Sequence, residues 1–250
     1  MYLNEARLGF DVASRVLRPG VRALEIGSGL GFVSLALRDA GYDVVALEPV
    51  GEGFDFFAAA QPVIRAAAGM TMEVLEIGVE ELDPQRHGRF DAGFSVHVLE
   101  HVPDLDASFR GMAAVLAPEG RMAHVCPNYH VPYEPHVGIP LIPFAPSATR
   151  RLFPRRVEQH EGVWNSLNFI TSSQVRKLAR TYGLRATFER GTMYDFVARL
   201  SNDPVFADRH DSAAMKTIER LDRSNALAFM KRIPPSLATP MLFHLAHTGT

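Results

Sequence analysis

Two periodicities alternate along the first half of the chain. Val21 to Ile26 is a short apolar run ending at the glycine cluster Gly27-Ser28-Gly29-Leu30-Gly31, which predicts a buried strand with a helix to follow over 32–40. Asp43 to Leu47 predict a second strand closing on Glu48-Pro49, and Phe54 to Ala68 a crossover helix. Met72 to Ile77 and Phe90 to Val96 predict strands three and four. Asp104 caps a predicted helix on which Leu105, Phe109, Met112 and Leu116 recur at spacings of four, three and four, one buried face. Pro118-Glu119-Gly120 should end it, with Arg121 to Val125 the fifth strand. A helix over 5–17 precedes them all. Strands separated regularly by helices predict an α/β fold, a mostly parallel sheet with helices on both faces.

The pattern then changes. From Pro127 to Pro154 the chain carries seven prolines, which argue against regular helix or central strand over most of that stretch. A long structured insert over 127–170, a lid or binding segment, is the expectation. Regular structure should resume at Thr171, the N-cap of a helix with Val175, Leu178, Ala179 and Tyr182 on one face and Gly183 as its stop. Leu184 to Glu189 predict a further strand, and Asp211 to about Lys231 an amphipathic helix. The last segment, PPSLATPMLFHLAHTGT, is apolar but interrupted by prolines. Without internal repeats or a low-complexity linker, 1–250 is expected to form a single domain: a core over 1–126, the insert, and C-terminal helices with the remaining strands over 171–250.

Composition narrows the possibilities. With 47% hydrophobic and 22% charged residues the chain has enough apolar surface to fold. A net charge of -2 leaves no basic excess for a phosphate backbone, so no nucleic-acid partner is expected. The single Cys126 excludes an internal disulfide or a cysteine-based zinc cluster and suits a reducing compartment. The N-terminal segment lacks a signal-peptide pattern and no apolar run approaches the ~18–20 residues of a membrane span, so a cytoplasmic location without stable membrane insertion is expected. Oligomeric state is not legible.

A strand that feeds a glycine turn into a helix N-terminus exposes backbone N–H groups and a positive dipole end, which suits an anionic group. Glycines at 27, 29 and 31, followed by Phe32, do not give the G-x-G-x-x-G dinucleotide spacing. Glu25 stands two residues before the first glycine. Glu48 ends the second strand 21 residues after Gly27 (48 minus 27), close to the ~20-residue offset at which an acid meets ribose hydroxyls. One ligand satisfies all three features if it carries an ammonium and a carboxylate at one end and a ribose at the other, as a nucleoside joined to an amino acid does.

These segments, LEIGSGLG, VVALEP and FDAGFSVHVLEHVPD, resemble the class I S-adenosylmethionine-dependent methyltransferases over residues 20 to about 126. The subgroup resembled has Leu-Glu-His after strand four, here Leu99-Glu100-His101. The resemblance implies a Rossmann-like, seven-stranded sheet whose last strand is antiparallel, with S-adenosyl-L-methionine as cofactor. It further implies that Gly27, Ser28, Gly29 and Gly31 carry the methionine part, Glu25 its amino group, and Glu48, with Pro49 beside it, the ribose. Where many members place an Asp beside adenine, this chain has Gly78, so Val79 backbone groups or the Glu80 carboxylate would substitute.

Methyl transfer from a sulfonium needs an acceptor held in line, and a hydroxyl acceptor benefits from a neutral histidine as base. His97 and His101 follow strand four and are the candidate bases, sharing a face if that turn is helical. Asn128, Tyr129, Tyr133 and His136 are candidate acceptor contacts. His130, Glu134 and His136, at spacings of four and two, match no zinc pattern, so no metal is expected. The stretch PNY…PYEPH…GIP resembles bacterial members associated with polysaccharide biosynthesis, which implies a small-molecule or glycan hydroxyl as acceptor. Arg150, Arg151, Arg155 and Arg156 suit either a phosphorylated acceptor or a solvated face, while Trp164, Asn165, Asn168 and Phe169 either cover the cleft or pack. Two other readings stay open: an NAD(P)-dependent oxidoreductase, which the glycine spacing and the absence of a Tyr-x-x-x-Lys pair disfavour, and a non-catalytic S-adenosylmethionine-binding module.

Overall fold

The computed structural model describes residues 2–50, 55–202 and 226–249. The strands are β1 (Arg22–Ile26), β2 (Asp43–Leu47), β3 (Val74–Leu75), β4 (Phe90–Val96), β5 (Leu116–Cys126), β6 (Tyr133–Glu134), β7 (Ile139–Pro140), β8 (Leu184–Phe188) and β9 (Met241–His247). The helices are α1 (Tyr2–Ala13), α2 (Phe32–Asp39), α3 (Asp55–Ala68), α4 (Pro84–His87), α5 (Leu105–Val115), α6 (Pro146–Leu152), α7 (Pro154–Gln159), α8 (Glu161–Ser166), α9 (Ser172–Thr181) and α10 (Thr192–Asn202).

Seven strands form one sheet in the order β3-β2-β1-β4-β5-β9-β8. The pairs from β3 through β5 are parallel, and β9 runs antiparallel to both β5 and β8. Successive side chains of a strand point to opposite faces, and both faces here are buried. Leu24, Ile26, Val45 and Leu47 join a core with Phe109 and Met112 of α5 and Val175 of α9. Ala23, Val44, Ala123 and Val125 join a second core with Val12 of α1 and Val33 and Leu37 of α2. Burial on both sides is why these strands read as apolar runs and not as alternating ones.

Helix ends follow the sequence. Asp104 accepts a hydrogen bond from the Ala107 amide at 2.9 Å, and Thr171 forms a capping box with Gln174.

Several boundaries move. The first helix is Tyr2–Ala13, and β3 shrinks to two residues. β5 begins at Leu116, so Pro118-Glu119-Gly120 lies inside an irregular strand start, with a register shift opposite Phe90 and Ala92. The insert is more regular than its prolines suggest. It holds the β6–β7 hairpin and three short helices, two of which start on Pro146 and Pro154, where the missing N–H has no helical partner to lose. α10 was not expected. Most of the helix expected over 211–231 lies outside the described residues; 226–232 is a 3-10 turn. The described C-terminal segment ends in β9, which sits inside the sheet.

Candidate active site

The carboxyl ends of β1, β2 and β4 open into a cavity of about 1030 Å³. At one end, Leu47 O accepts hydrogen bonds from the amides of Gly27 and Ser28 at 2.8 and 3.0 Å, which ties the glycine turn to the end of β2. Gly27 has φ +71, and a Cβ built there would overlap the Val98 side chain, so this position needs glycine for both reasons. The Gly29 amide donates to Glu48 Oε2 at 2.7 Å. Gln61 Nε2 braces the turn from α3, donating to Ser28 Oγ and Gly29 O, each at 3.0 Å.

Two acids are buried in this wall. Glu25 accepts a hydrogen bond from Ser34 Oγ. Burial pushes its carboxyl up to about 8 despite that bond, and pushes Glu48 up to about 7 against the lowering effect of the Gly29 amide. Val79 and Glu80, on a 3-10 turn after β3, line the same end of the cavity, as does Pro49. Gly31 does not. It caps α2 with φ +76 and faces Gln61 and Met72 from behind the turn.

The other end is lined by His97, His101 and His136. The segment after β4 is a turn, so His97 and His101 reach the cavity without sharing a helical face. His97 has φ 54, an uncommon left-handed backbone held by its amide's 2.9 Å hydrogen bond to Val125 O. His101 Nδ1 lies 2.8 Å from Ser166 Oγ, and burial lowers the basicity of this imidazole. His136 Nδ1 donates to Glu134 Oε1 at 2.6 Å, and the two imidazoles of His101 and His136 stack edge-on at 5.2 Å. Glu100 is fully buried beside them, its Oε1 3.5 Å from His97 Nδ1 and 3.9 Å from His136 Nε2.

Of the insert residues expected to touch the acceptor, only His136 lines the cavity. Asn128 is buried, donating from Nδ2 to Ser236 O and Ala238 O at 3.1 and 3.0 Å and accepting from the Ser172 amide at 3.1 Å. It ties the insert to the segment before β9. Tyr129 packs edge-on against Phe169 in the core, with its hydroxyl on Glu134 Oε1 at 3.2 Å. Tyr133 is half-exposed on the hairpin. Both aromatics therefore stabilise the insert and do not wall the cavity. Arg150 pairs with Glu161 at 2.7 Å on an exposed surface, so that arginine is engaged outside the cavity.

Comparison with known proteins agrees with this geometry. The family described as "Methyltransferase domain" matches residues 24–124. An uncharacterised protein of Mycobacterium tuberculosis (strain H37Rv) is 34% identical over 215 residues, covering 82% of this chain and 72% of that one. The chain belongs to the class I S-adenosylmethionine-dependent methyltransferases. A ubiquinone biosynthesis O-methyltransferase of Xanthomonas campestris pv. campestris is 33% identical over 120 residues, about half of each chain (48% of both). The methyltransferase fold recurs in phosphoethanolamine N-methyltransferase 2 of Haemonchus contortus, solved with S-adenosyl-L-methionine. That structure is 16% identical with a TM-score of 0.55; the match covers 98% of this chain but only 53% of that one. It recurs again in an O-methyltransferase from a trans-AT polyketide synthase of Brevibacillus brevis, at 12% identity and a TM-score of 0.55, over 98% of this chain and 75% of that one.

S-adenosylmethionine is thus the cofactor, and the residues of this methyltransferase fit it. Two buried acids, with no cationic partner among the described residues, face a cavity of sufficient volume, beside a turn that admits no Cβ at Gly27. Sequence reasoning missed Gln61, whose only signal is its place on the crossover helix. It also missed Ala6 and Gly9 of α1 and Gly162 and Ser166 of α8, all of which line the cavity. Asn165 lines it too, whereas Trp164 packs against Phe169.

Proposed function

We propose that the chain methylates a hydroxyl oxygen of a small molecule or glycan precursor, with cofactor and acceptor meeting in the single cavity between Glu48 and His136. The observation that carries this reading is continuity: one cavity joins the glycine turn and Glu48 to His97 and His101. On this reading Glu48 accepts from the ribose hydroxyls, the Gly27-Ser28-Gly29 backbone holds the methionine part, Glu25 faces its amino group, and Val79 and Glu80 border adenine. When bound, S-adenosylmethionine supplies a methyl group on a sulfonium sulfur, open to displacement by an acceptor oxygen.

His97 is the assigned base. It takes the proton of the acceptor hydroxyl as the oxygen attacks, a contribution typically worth ~10²–10⁴ in rate, while enclosure of both reactants supplies much of the rest. His101, kept neutral by burial, and Asn165 orient the acceptor. The likeness over 120 residues to a relative named as an O-methyltransferase supports oxygen as the acceptor atom. The test is incubation with S-adenosylmethionine and a panel of phenolic, sugar and amine acceptors, followed by mass spectrometry. Methylation of amines alone would overturn the hydroxyl assignment. Binding of S-adenosylhomocysteine with no turnover on any acceptor would favour a non-catalytic module.

A further inference from the structure

We infer that Glu100, His101 and His136 bind a divalent first-row transition-metal ion, zinc being the reference case, at the acceptor end of the cavity. One ligand atom from each of the three lies within 4.8 Å of the others. They come from the turn after β4 and from the tip of the β6–β7 hairpin, which explains why no metal-ligand spacing is visible in the sequence.

The state of each donor points to a cation. Glu100 is fully buried, and neither carboxylate oxygen has a hydrogen-bond partner. A buried carboxylate normally recruits several donors, because its desolvation is otherwise uncompensated. Here it faces three imidazoles, with His97 Nδ1 at 3.5 Å, His136 Nε2 at 3.9 Å and His101 in the same cluster. Ser166 Oγ donates its proton to Val163 O at 2.8 Å, so it can only accept from His101 Nδ1. That places the His101 proton on Nδ1 and the lone pair on Nε2. Glu134 fixes His136 in the same tautomer: its Oε1 accepts from His136 Nδ1 at 2.6 Å, and its Oε2 from the Val137 amide at 2.6 Å. A ligating histidine whose second nitrogen donates to a hydroxyl, carbonyl or carboxylate is the usual outer arrangement of a metal site. The His136 nitrogen left free by Glu134 is the one turned to Glu100, at 3.9 Å.

Two histidines and one carboxylate leave coordination positions open. Metal bonds of ~2.0–2.2 Å set neighbouring ligand atoms about 3–3.5 Å apart, so occupancy requires the cluster to contract by about 1 Å. The hairpin carries both His136 and Glu134, so it can supply that movement by shifting as a unit with the Nδ1 hydrogen bond intact. All three histidines of this end line the cavity, so the open positions face the space assigned to the acceptor. A hydroxyl bound there would lose its proton more readily, with His97 alongside to take it.

The ion's binding depends on these side chains and not on methyl transfer, so it is measured directly. The tag-free full-length chain is stripped with chelator and titrated with Zn²⁺, then Mn²⁺, by calorimetry, and retained metal is counted by mass spectrometry after gel filtration. One ion per chain is expected, with affinity at least tenfold weaker in His101→Ala and in His136→Ala. Should either variant fail to fold, the wild-type chain still decides: Zn²⁺ should protect His101 and His136, but not the exposed His160, from diethyl pyrocarbonate. Lack of stoichiometric uptake, uptake unchanged in both folded variants, or absence of protection each overturns the site. Metal uptake without methylation of any acceptor would leave the ion in place and remove only the proposed function.

Discussion

Asn168 Nδ2 donates to Leu99 O at 2.7 Å and, from the same amide, to Val102 O at 2.9 Å, so the end of the insert is clamped onto the turn that carries His97, Glu100 and His101. The Asn168 amide completes the clamp by donating to Glu100 O at 2.9 Å. Asn168→Ala should strand two carbonyls and cost ~1–3 kcal/mol. For a chain of this size that lowers the melting temperature by roughly 2–4 °C per kcal/mol. Turnover should fall further than the affinity for S-adenosylhomocysteine, because the clamp acts on the histidine end. Equal losses in both would show that the turn is positioned by other contacts.

Glu48→Ala should weaken S-adenosylhomocysteine binding at least tenfold. The carboxylate already receives the Gly29 amide at 2.7 Å and is assigned two ribose hydroxyls, each hydrogen bond to a charged group being worth ~1.5–3 kcal/mol. Calorimetry with both proteins measures it, and unchanged affinity would refute the role.

His97→Ala should depress kcat by ~10²-fold or more while leaving cofactor affinity within a few fold. Tyr133→Ala, on the half-exposed hairpin outside the cavity, should leave both constants nearly unchanged, whereas Asn165→Ala should raise the acceptor KM. Steady-state kinetics on the identified acceptor separates the three.

Gly27→Ala should destabilise the fold and abolish cofactor binding. The left-handed backbone alone costs a residue with a Cβ ~1–2 kcal/mol, and Val98, stiff at χ1, must also move. A thermal melt within one degree of wild type would contradict the close approach.

The acids predict a pH signature. Ligand-free, Glu25 and Glu48 hold protons more tightly folded, at about 8 and about 7, than unfolded, near the ordinary 4.5. Their contribution to stability is therefore present below about 4.5 and is lost as pH rises toward 7–8. A bound ammonium and ribose hydroxyls favour the ionised carboxylates instead, so cofactor binding near pH 6.5 should release protons. Calorimetry in two buffers of different ionisation enthalpy measures the release; proton uptake would reverse the assignment.

The glycine-turn end of the cavity was legible because its determinants are local. A glycine turn, an acid two residues before it and an acid at the next strand end all lie within thirty residues, and β1, β2 and β4 fall where their apolar runs place them. The acceptor half was not. Tyr129 and Asn128 are aromatic and polar residues just after β5, which suggested a pocket, yet their partners, Phe169, Ser236 and Ala238, come from far along the chain and make them structural. His136 reaches the cavity only because Glu134 turns its imidazole. The prolines of the insert read as helix breakers, whereas Pro146 and Pro154 stand at helix starts. β9 was hidden because Met241 to Phe243 is an apolar triplet directly after Pro240, and nothing in that triplet names two antiparallel neighbours.

The position of β9 also sets the order in which the sheet can be built during synthesis. β5 emerges with one edge already matched to β4, but its other edge waits until the insert, α9, β8 and α10 have all been made. At ~5–20 residues per second that interval is on the order of ten seconds. Throughout it, the nascent chain carries a strand whose N–H and C=O groups are unpaired on one side, an edge open to other chains. β1 to β4 have all been synthesised before this interval begins, so the strands that border the glycine turn are available to pair while β8 and β9 of the seven-stranded sheet are still to come.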